Sequence, residues 1–165
     1  MAIKHLSPFS LVFLATATFL LAGQTAARIL DGDLCRKTDY PPLCKRAVKG
    51  SVSDPKLATE LAVKALIDQT MGAKALAAKL GKSPKLDNCL TSYDDAIDNL
   101  KKSLDNINHK DPGSLMSNLS AVVADYETCD DAFAEAGQRS PLAATNKKSS
   151  HMASNCLALG SQIKF

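Results

Sequence analysis

The sequence predicts an all-α protein, an antiparallel up-down four-helix bundle that follows a short helical hairpin closed by a disulfide. Three observations predict this fold: four regularly spaced helix-start signals, apolar residues at helical spacing after each signal, and two pairs of cysteines placed symmetrically around turns. The chain has 165 residues, of which 45% are hydrophobic. That length suits a single domain with one core once a leader segment has been removed.

The first 27 residues have the composition of a secretory signal peptide. Lys4 and His5 precede an apolar run over residues 11–22, and small residues follow at 25–27. A membrane anchor is the alternative interpretation, but the run is shorter than the ~20 residues that a spanning helix needs. We therefore expect cleavage near Ala27, export to an oxidising compartment, and no membrane attachment afterwards.

An Asp-Pro or Ser-Pro pair marks each of four helix starts, and the pairs recur every 28 or 29 residues. The Asp or Ser side chain can accept a hydrogen bond from an unpaired backbone amide at the N-cap, and proline at the first helical position lacks only a donor that would be unpaired there. A solenoid also has a regular period, but here only the helix starts repeat. We therefore predict a bundle over residues 54–165 and an N-terminal extension over 28–53 that projects from it. The pairs are Asp54-Pro55, Ser83-Pro84, Asp111-Pro112 and Ser140-Pro141.

Each predicted bundle helix carries an apolar stripe with steps of three and four residues, which is typical of a helix that buries one face. The first stripe is Val63, Leu66, Thr70, Ala73, Ala77 and Leu80. The second is Leu86, Cys89 or Leu90, Tyr93, Ile97, Leu100, Leu104 and Ile107. The third is Leu115, Leu119, Val122, Tyr126, Cys129 and Phe133. The fourth and weakest is Leu142, Thr145, Ser149, Met152, Cys156, Leu159 and Ile163.

The hairpin geometry selects two disulfides among the pairings that five cysteines allow. Cys89 and Cys129 lie at equal distances from residue 109, inside a predicted turn, so they are level in an antiparallel helical hairpin. Level positions on packed helices meet the Cα distance that a disulfide requires. Cys35 and Cys44 flank a second turn, at residues 39–41, in the same way. Cys156 remains, and we expect a buried thiol; intermolecular pairing and a reactive thiol are the alternatives.

The residues that catalysis or metal binding would need are sparse. Only His109 and His151 remain after signal removal, and the carboxylates lack the Glu-x-x-His spacing of di-iron bundles. We find no glycine-rich phosphate loop, and His151 is badly placed to activate Cys156 from five residues away on one helix. We therefore expect no enzyme, no metal and no cofactor. The net charge of +3 is also too small and dispersed for nucleic-acid binding.

The most concentrated surface chemistry lies beside Cys89 and Cys129. Residues Asp95 and Asp98 are three apart, as are Thr128 and Asp131, so each pair occupies one face of a predicted helix. The disulfide would place these two faces side by side. We call these four residues the acidic surface, and an ordinary solvated face is the alternative interpretation.

Taken together, these motifs resemble the plant invertase and pectin methylesterase inhibitor family. The resemblance rests on the signal peptide, the Cys-x8-Cys spacing, CLTSYDDAID over residues 89–98 and YETCDDAF over 126–133. It implies a four-helix bundle, bridges joining the first cysteine to the second and the third to the fourth, and commonly a free fifth. It also implies non-covalent docking over the active-site cleft of a cell-wall pectin methylesterase or an acid invertase.

The resemblance implies that the acidic surface, Asp95, Asp98, Thr128 and Asp131, faces the enzyme. Thr91 departs from inhibitors that have an acidic residue there, so one polar contact that the resemblance would imply is missing. Pro112-Gly113-Ser114 differs from the Pro-Lys-Phe of many invertase inhibitors. We therefore favour pectin methylesterase over invertase, with a small-ligand or signalling bundle as a remoter alternative.

We expect a secreted monomer that binds its target one-to-one in the apoplast, with the vacuole as a possible second location. Asn118-Leu119-Ser120 is also a sequon for N-glycosylation.

Overall fold

We describe residues 32–165 of the chain from a computed structural model, so the expected signal peptide lies outside the described residues. This part of the chain is helical and contains no strand. A 3-10 helix covers Leu34–Lys37 and a short helix, α1, covers Pro41–Ala47. Four longer helices follow: α2 Pro55–Lys79, α3 Pro84–His109, α4 Pro112–Ala134 and α5 Ala143–Gly160.

The four long helices form the predicted up-down bundle. Each packs against the next along the chain, and α5 returns to pack against α2, which closes a ring of four. The α3–α4 pair has the most extensive contact. Within residues 32–165 no helix is both long and apolar enough to cross a bilayer.

Three of the four predicted helix starts are N-caps in the structure, each with proline in the first turn. The side-chain oxygens of Asp54, Ser83 and Asp111 accept hydrogen bonds from backbone amides in the first turns of α2, α3 and α4, at 2.9, 3.2 and 3.0 Å. Hydrogen bonds from the side chain and from the backbone amide of Ser114 lower the pKa of the Asp111 carboxyl. These caps are local, and that is why the sequence alone predicts them.

The fourth predicted start is displaced. Ser140 Oγ accepts a hydrogen bond from the backbone amide of Leu142 at 3.1 Å, within a turn, and α5 begins at Ala143. Pro141 therefore lies in the turn before the helix and not at its first position. Near its start α5 also buries a residue that the stripe did not include: Asn146 is 1% exposed, whereas Thr145 of the predicted stripe is only half-buried.

The predicted stripes of α3 and α4 form the centre of the core. All six residues of the third stripe are buried. In the second stripe Leu90 and Leu104 are only partly buried. Leu80 is wrongly predicted as core, because α2 ends at Lys79 and the Leu80 side chain is 45% exposed.

A buried tyrosine hydroxyl links α4 to α2. The hydroxyl oxygens of Tyr126 and Thr70 are 2.5 Å apart, and Thr70 Oγ1 donates to Leu66 O at 2.8 Å. Since Thr70 has one hydroxyl proton, Tyr126 is the donor in this pair. Burial raises the pKa of Tyr126, which keeps the donor proton in place.

Both disulfides have the pairing that the turn symmetry predicted. Cys89 and Cys129 join α3 to α4 with their Cα atoms 4.3 Å apart, and Cys35 and Cys44 join the 3-10 helix to α1 with a Cα distance of 5.4 Å. Cys156 is a free thiol with no solvent exposure. Burial raises its pKa to about 12, so it stays protonated and fits a core position better than the reactive or intermolecular alternatives.

The N-terminal segment packs on α5, so the expectation that it projects from the bundle is wrong. Tyr40 N donates to Asn155 Oδ1 and Asn155 Nδ2 donates back to Tyr40 O, both at 2.9 Å. The Tyr40 ring also stacks on His151, with centroids 3.7 Å apart. Because residues 151 and 155 are four apart, they share one face of α5 and hold both the ring and the backbone of Tyr40.

Candidate docking surface

The acidic surface lies on the two helices that the central disulfide joins. Asp95 and Asp98 are on α3, and Thr128 and Asp131 are on α4; all four residues are exposed. No hydrogen bond or ion pair between residues 32 and 165 links any two of the four. Their relative positions therefore depend on the helices and the Cys89–Cys129 bridge.

This surface offers acceptors and almost no donors. Asp95 and Asp131 make no side-chain hydrogen bond or ion pair with any described residue, and Asp98 meets only Lys101, at 3.5 Å. That pair is mostly exposed and therefore contributes little. Thr128 Oγ1 donates its proton to the backbone oxygen of Ala124 at 2.9 Å, so a partner meets its lone pairs. A complementary partner has to supply donors or cations.

Sequence reasoning missed two residues at the edge of this surface. Asn99 Nδ2 donates to Asp125 Oδ2 at 3.1 Å across the groove between α3 and α4. Burial raises the pKa of Asp125, the bond from Asn99 opposes that rise, and the negative charge of Asp95 adds to it. Helical spacing could have identified both residues. Asn99 is four residues after Asp95 and Asp125 is three before Thr128, so each shares a helix face with a residue of the acidic surface.

Two other aspartates, one next to Asp95 and one next to Asp131, bond to neighbouring helices of the bundle. Asp94 pairs with Lys74 of α2. Asp130 Oδ1 accepts from Asn146 Nδ2 at 2.8 Å, and Asn146 Oδ1 accepts from the Tyr93 hydroxyl at 2.6 Å. Burial, helped by the charge of Asp130, raises the pKa of Tyr93 to about 12, so it remains a donor. These bonds connect α3, α4 and α5 and hold the acidic surface on a rigid support.

The sequon asparagine is also engaged between these helices. Asn118 Nδ2 donates to Asn106 Oδ1 at 2.8 Å, and the contact is partly buried. Within residues 32–165, no group of three or more His, Cys, Asp or Glu is arranged to hold a metal ion.

Comparison with known proteins identifies the family. A family model described as plant invertase/pectin methylesterase inhibitor matches residues 32–159. The chain belongs to this family. This family and the two solved structures described below are of inhibitors and not of enzymes.

Two solved structures are similar to this family member in fold. One is mutant form A of a pectin methylesterase inhibitor from Arabidopsis, with a TM-score of 0.68, 16% identity, and coverage of 79% of this chain and 94% of that one. The other is a pectin methylesterase inhibitor from Arabidopsis thaliana, with a TM-score of 0.62, 16% identity, and coverage of 79% and 93%.

Two curated relatives from Arabidopsis thaliana are longer proteins. One is a putative pectinesterase/pectinesterase inhibitor 26, which is 28% identical over 79% of this chain and 16% of its own length. The other is pectinesterase 1, which is 26% identical over 79% of this chain and 27% of its own length. The chain therefore spans about a sixth and about a quarter of these two relatives.

Proposed function

We propose that this chain inhibits a pectin methylesterase by docking non-covalently over its active-site cleft. The observation that carries the proposal is the acidic surface, Asp95, Asp98, Thr128 and Asp131, exposed on two helices that a disulfide joins. The rigid support lowers the entropy lost on binding, since the contact residues do not have to be ordered first. Each inhibitor monomer would block one enzyme, after secretion to the cell wall.

Two observations favour pectin methylesterase over acid invertase as the target. Both similar solved structures are named as pectin methylesterase inhibitors, and both curated relatives carry pectinesterase names. In addition, α4 begins with Pro112-Gly113-Ser114, which lacks the large apolar side chain of the Pro-Lys-Phe motif of many invertase inhibitors. Invertase remains the alternative target.

The proposed mechanism is occlusion of the cleft. The ridges of α3 and α4 would exclude substrate, while the carboxylates of Asp95 and Asp131 meet cations or donors on the rim of the cleft. Complementary charge of this kind increases the encounter rate and selects the partner. No covalent step is needed, which agrees with the complete burial of Cys156, the free thiol of the described chain.

The test is charge reversal on the acidic surface with a matched control. Asp95→Lys/Asp131→Lys should weaken inhibition of pectin methylesterase at mildly acidic pH by at least about tenfold, which corresponds to ~1.4 kcal/mol of binding free energy. Glu60→Lys/Asp105→Lys changes the net charge by the same amount at surface sites on α2 and at the far end of α3, and should leave inhibition unchanged. Circular dichroism would check that both variants fold.

Unchanged potency of Asp95→Lys/Asp131→Lys would reject the acidic surface as the docking site. Equal losses of inhibition in the two double variants would show that inhibition depends only on the net charge of the inhibitor and not on the acidic surface. A parallel titration of an acid invertase tests the target: inhibition of invertase without inhibition of pectin methylesterase would reject the proposed enzyme.

A further inference from the structure

Charge is distributed unevenly around the ring of helices. Helix α4 contains Asp125, Glu127, Asp130 and Asp131 and neither Lys nor Arg. Helix α5 contains Lys147 and Lys148 and neither Asp nor Glu. The 3-10 helix and α1, which lie near α5, end in Arg36, Lys37, Lys45 and Arg46. In the ring of four, the α2–α5 edge is opposite the α3–α4 edge, so a basic side faces away from the acidic surface.

A groove of about 390 Å³ lies on this basic side, between α1, α2 and α5. Its volume is within the range of small-ligand sites. Four apolar side chains contribute to the groove: Leu43, Ala47, Ala65 and Met152. Four polar residues complete it: Arg46, Asp68, Gln69 and Lys148.

The polar residues of the groove keep donors available for a ligand. Lys148 Nζ donates to Gln69 Oε1 at 2.8 Å and so connects α5 to α2 across the groove. That bond uses one of the three ammonium protons and leaves the amide protons of Gln69 free. Arg46 makes no hydrogen bond or ion pair with residues 32–165, so all five of its N–H donors are available. Asp68 is the one carboxylate among the lining residues.

We propose that this groove binds a carboxylated oligosaccharide, specifically a stretch of de-esterified pectin. A uronate chain combines carboxylates with sugar faces made of C–H groups, and the groove combines two cations with apolar side chains. Arg46 can bind one carboxylate with two parallel hydrogen bonds, and Lys148 can bind a second as a point charge. Gln69 would donate to a sugar hydroxyl, while Leu43 and Met152 cover a C–H face.

The choice of ligand rests on the proposed function. A pectin methylesterase consumes water to convert each methyl ester into a carboxylate, a released proton and methanol, so its product is the polyanion that this groove suits. An inhibitor bound to the enzyme through the acidic surface would keep the opposite groove free for the polymer. Contact with both would hold the inhibitor where de-esterification has occurred, because a second linked contact raises the effective concentration of the first.

The test is titration of the full secreted chain with a short, fully de-esterified oligogalacturonate, followed by calorimetry and by NMR shifts of Arg46, Gln69 and Lys148. Arg46→Gln/Lys148→Gln should weaken binding by at least about tenfold, since each variant site loses a charge-assisted contact. Lys79→Gln/Lys82→Gln removes the same charge at exposed positions outside the groove and should bind as the unmodified chain does. The same oligomer with methyl-esterified carboxyls should bind weakly.

Three results would overturn the proposal: no binding, equal affinity for the esterified oligomer, or equal losses in the two double variants. Sedimentation that shows a second copy of the chain covering the groove would also overturn it. The proposed function is tested separately, because Arg46→Gln/Lys148→Gln should still inhibit pectin methylesterase in solution. Suppose that Asp95→Lys/Asp131→Lys keeps full inhibition while the oligogalacturonate binds as expected. The acidic surface is then rejected as the docking site for the enzyme, and the groove is retained as the binding site for the oligogalacturonate.

Discussion

Asn99 Nδ2 lies 3.1 Å from Asp125 Oδ2 and joins α3 to α4 at the edge of the acidic surface. The bond satisfies a half-buried carboxylate that has lost part of its hydration. It does not offset the burial fully, because the pKa of Asp125 is still raised, and the charge of Asp95 contributes to that rise. The folded protein therefore favours the protonated form of Asp125 more than the unfolded chain does.

Asp125→Asn should stabilise the protein at neutral pH. A raised pKa in the folded state means that ionised Asp125 costs stability above that pKa, and that the cost disappears as pH falls to the ordinary aspartate range. The amide keeps the size of the side chain and can still accept from Asn99. Urea unfolding of both proteins at several pH values would measure this. The difference in the free energy of unfolding should be largest near neutrality and shrink in acid; a constant difference would contradict the pKa assignment.

Thr70→Val should destabilise the bundle more than Tyr126→Phe. The phenylalanine variant removes the donor and leaves Thr70 bonded to Leu66 O, so it should cost about 1 kcal/mol. The valine variant leaves the hydroxyl of Tyr126, whose side chain has no solvent exposure, without its acceptor, which costs roughly 1–3 kcal/mol. Urea unfolding of both single variants and of the double variant would measure the coupling. A double variant that loses the full sum of the two single losses would show that the residues are not coupled.

Asn155→Ala should loosen the N-terminal disulfide segment. Asn155 is 2% exposed, and its removal leaves the backbone N–H of Tyr40 without a partner, which should cost roughly 1–3 kcal/mol. The carbonyl oxygen of Tyr40 loses one donor but still accepts from the amides of Leu43 and Cys44. Ser154→Ala is the matched control on the same helix, because its bond to Asp39 is exposed and should cost less than about 0.5 kcal/mol. Hydrogen exchange of α1 in the two variants would locate the effect. Equal protection in both would contradict the role assigned to Asn155.

The features that the sequence predicted depend on contacts that are local or fixed by symmetry. The cap at Asp54 involves a residue two positions away, and the Cys89–Cys129 pairing follows from the centre of one turn. The bond between Tyr40 and Asn155 joins residues 115 apart, and its formation depends on how α5 is rotated and on one side-chain rotamer. The bond between Asn99 and Asp125 likewise depends on helix rotation and on side-chain rotamers. The sequence therefore predicted the pairing of α3 with α4, which carry the acidic surface, but not the raised pKa of Asp125 at its edge.

Asn118 should carry no glycan in the folded, secreted protein. Its amide nitrogen, to which the sugar would be attached, donates to Asn106 across the α3–α4 groove in a partly buried contact. A glycan on that nitrogen would replace one of its two N–H groups and crowd Asn106 at the most extensive helix interface in the bundle. Mass spectrometry of protein secreted from plant cells should find the unmodified peptide. Asn106→Ala, which removes the acceptor and opens space at this site, should raise occupancy if the interhelical contact is what protects Asn118. A fully glycosylated native chain that retains its stability would show that α3 and α4 tolerate the loss of this bond.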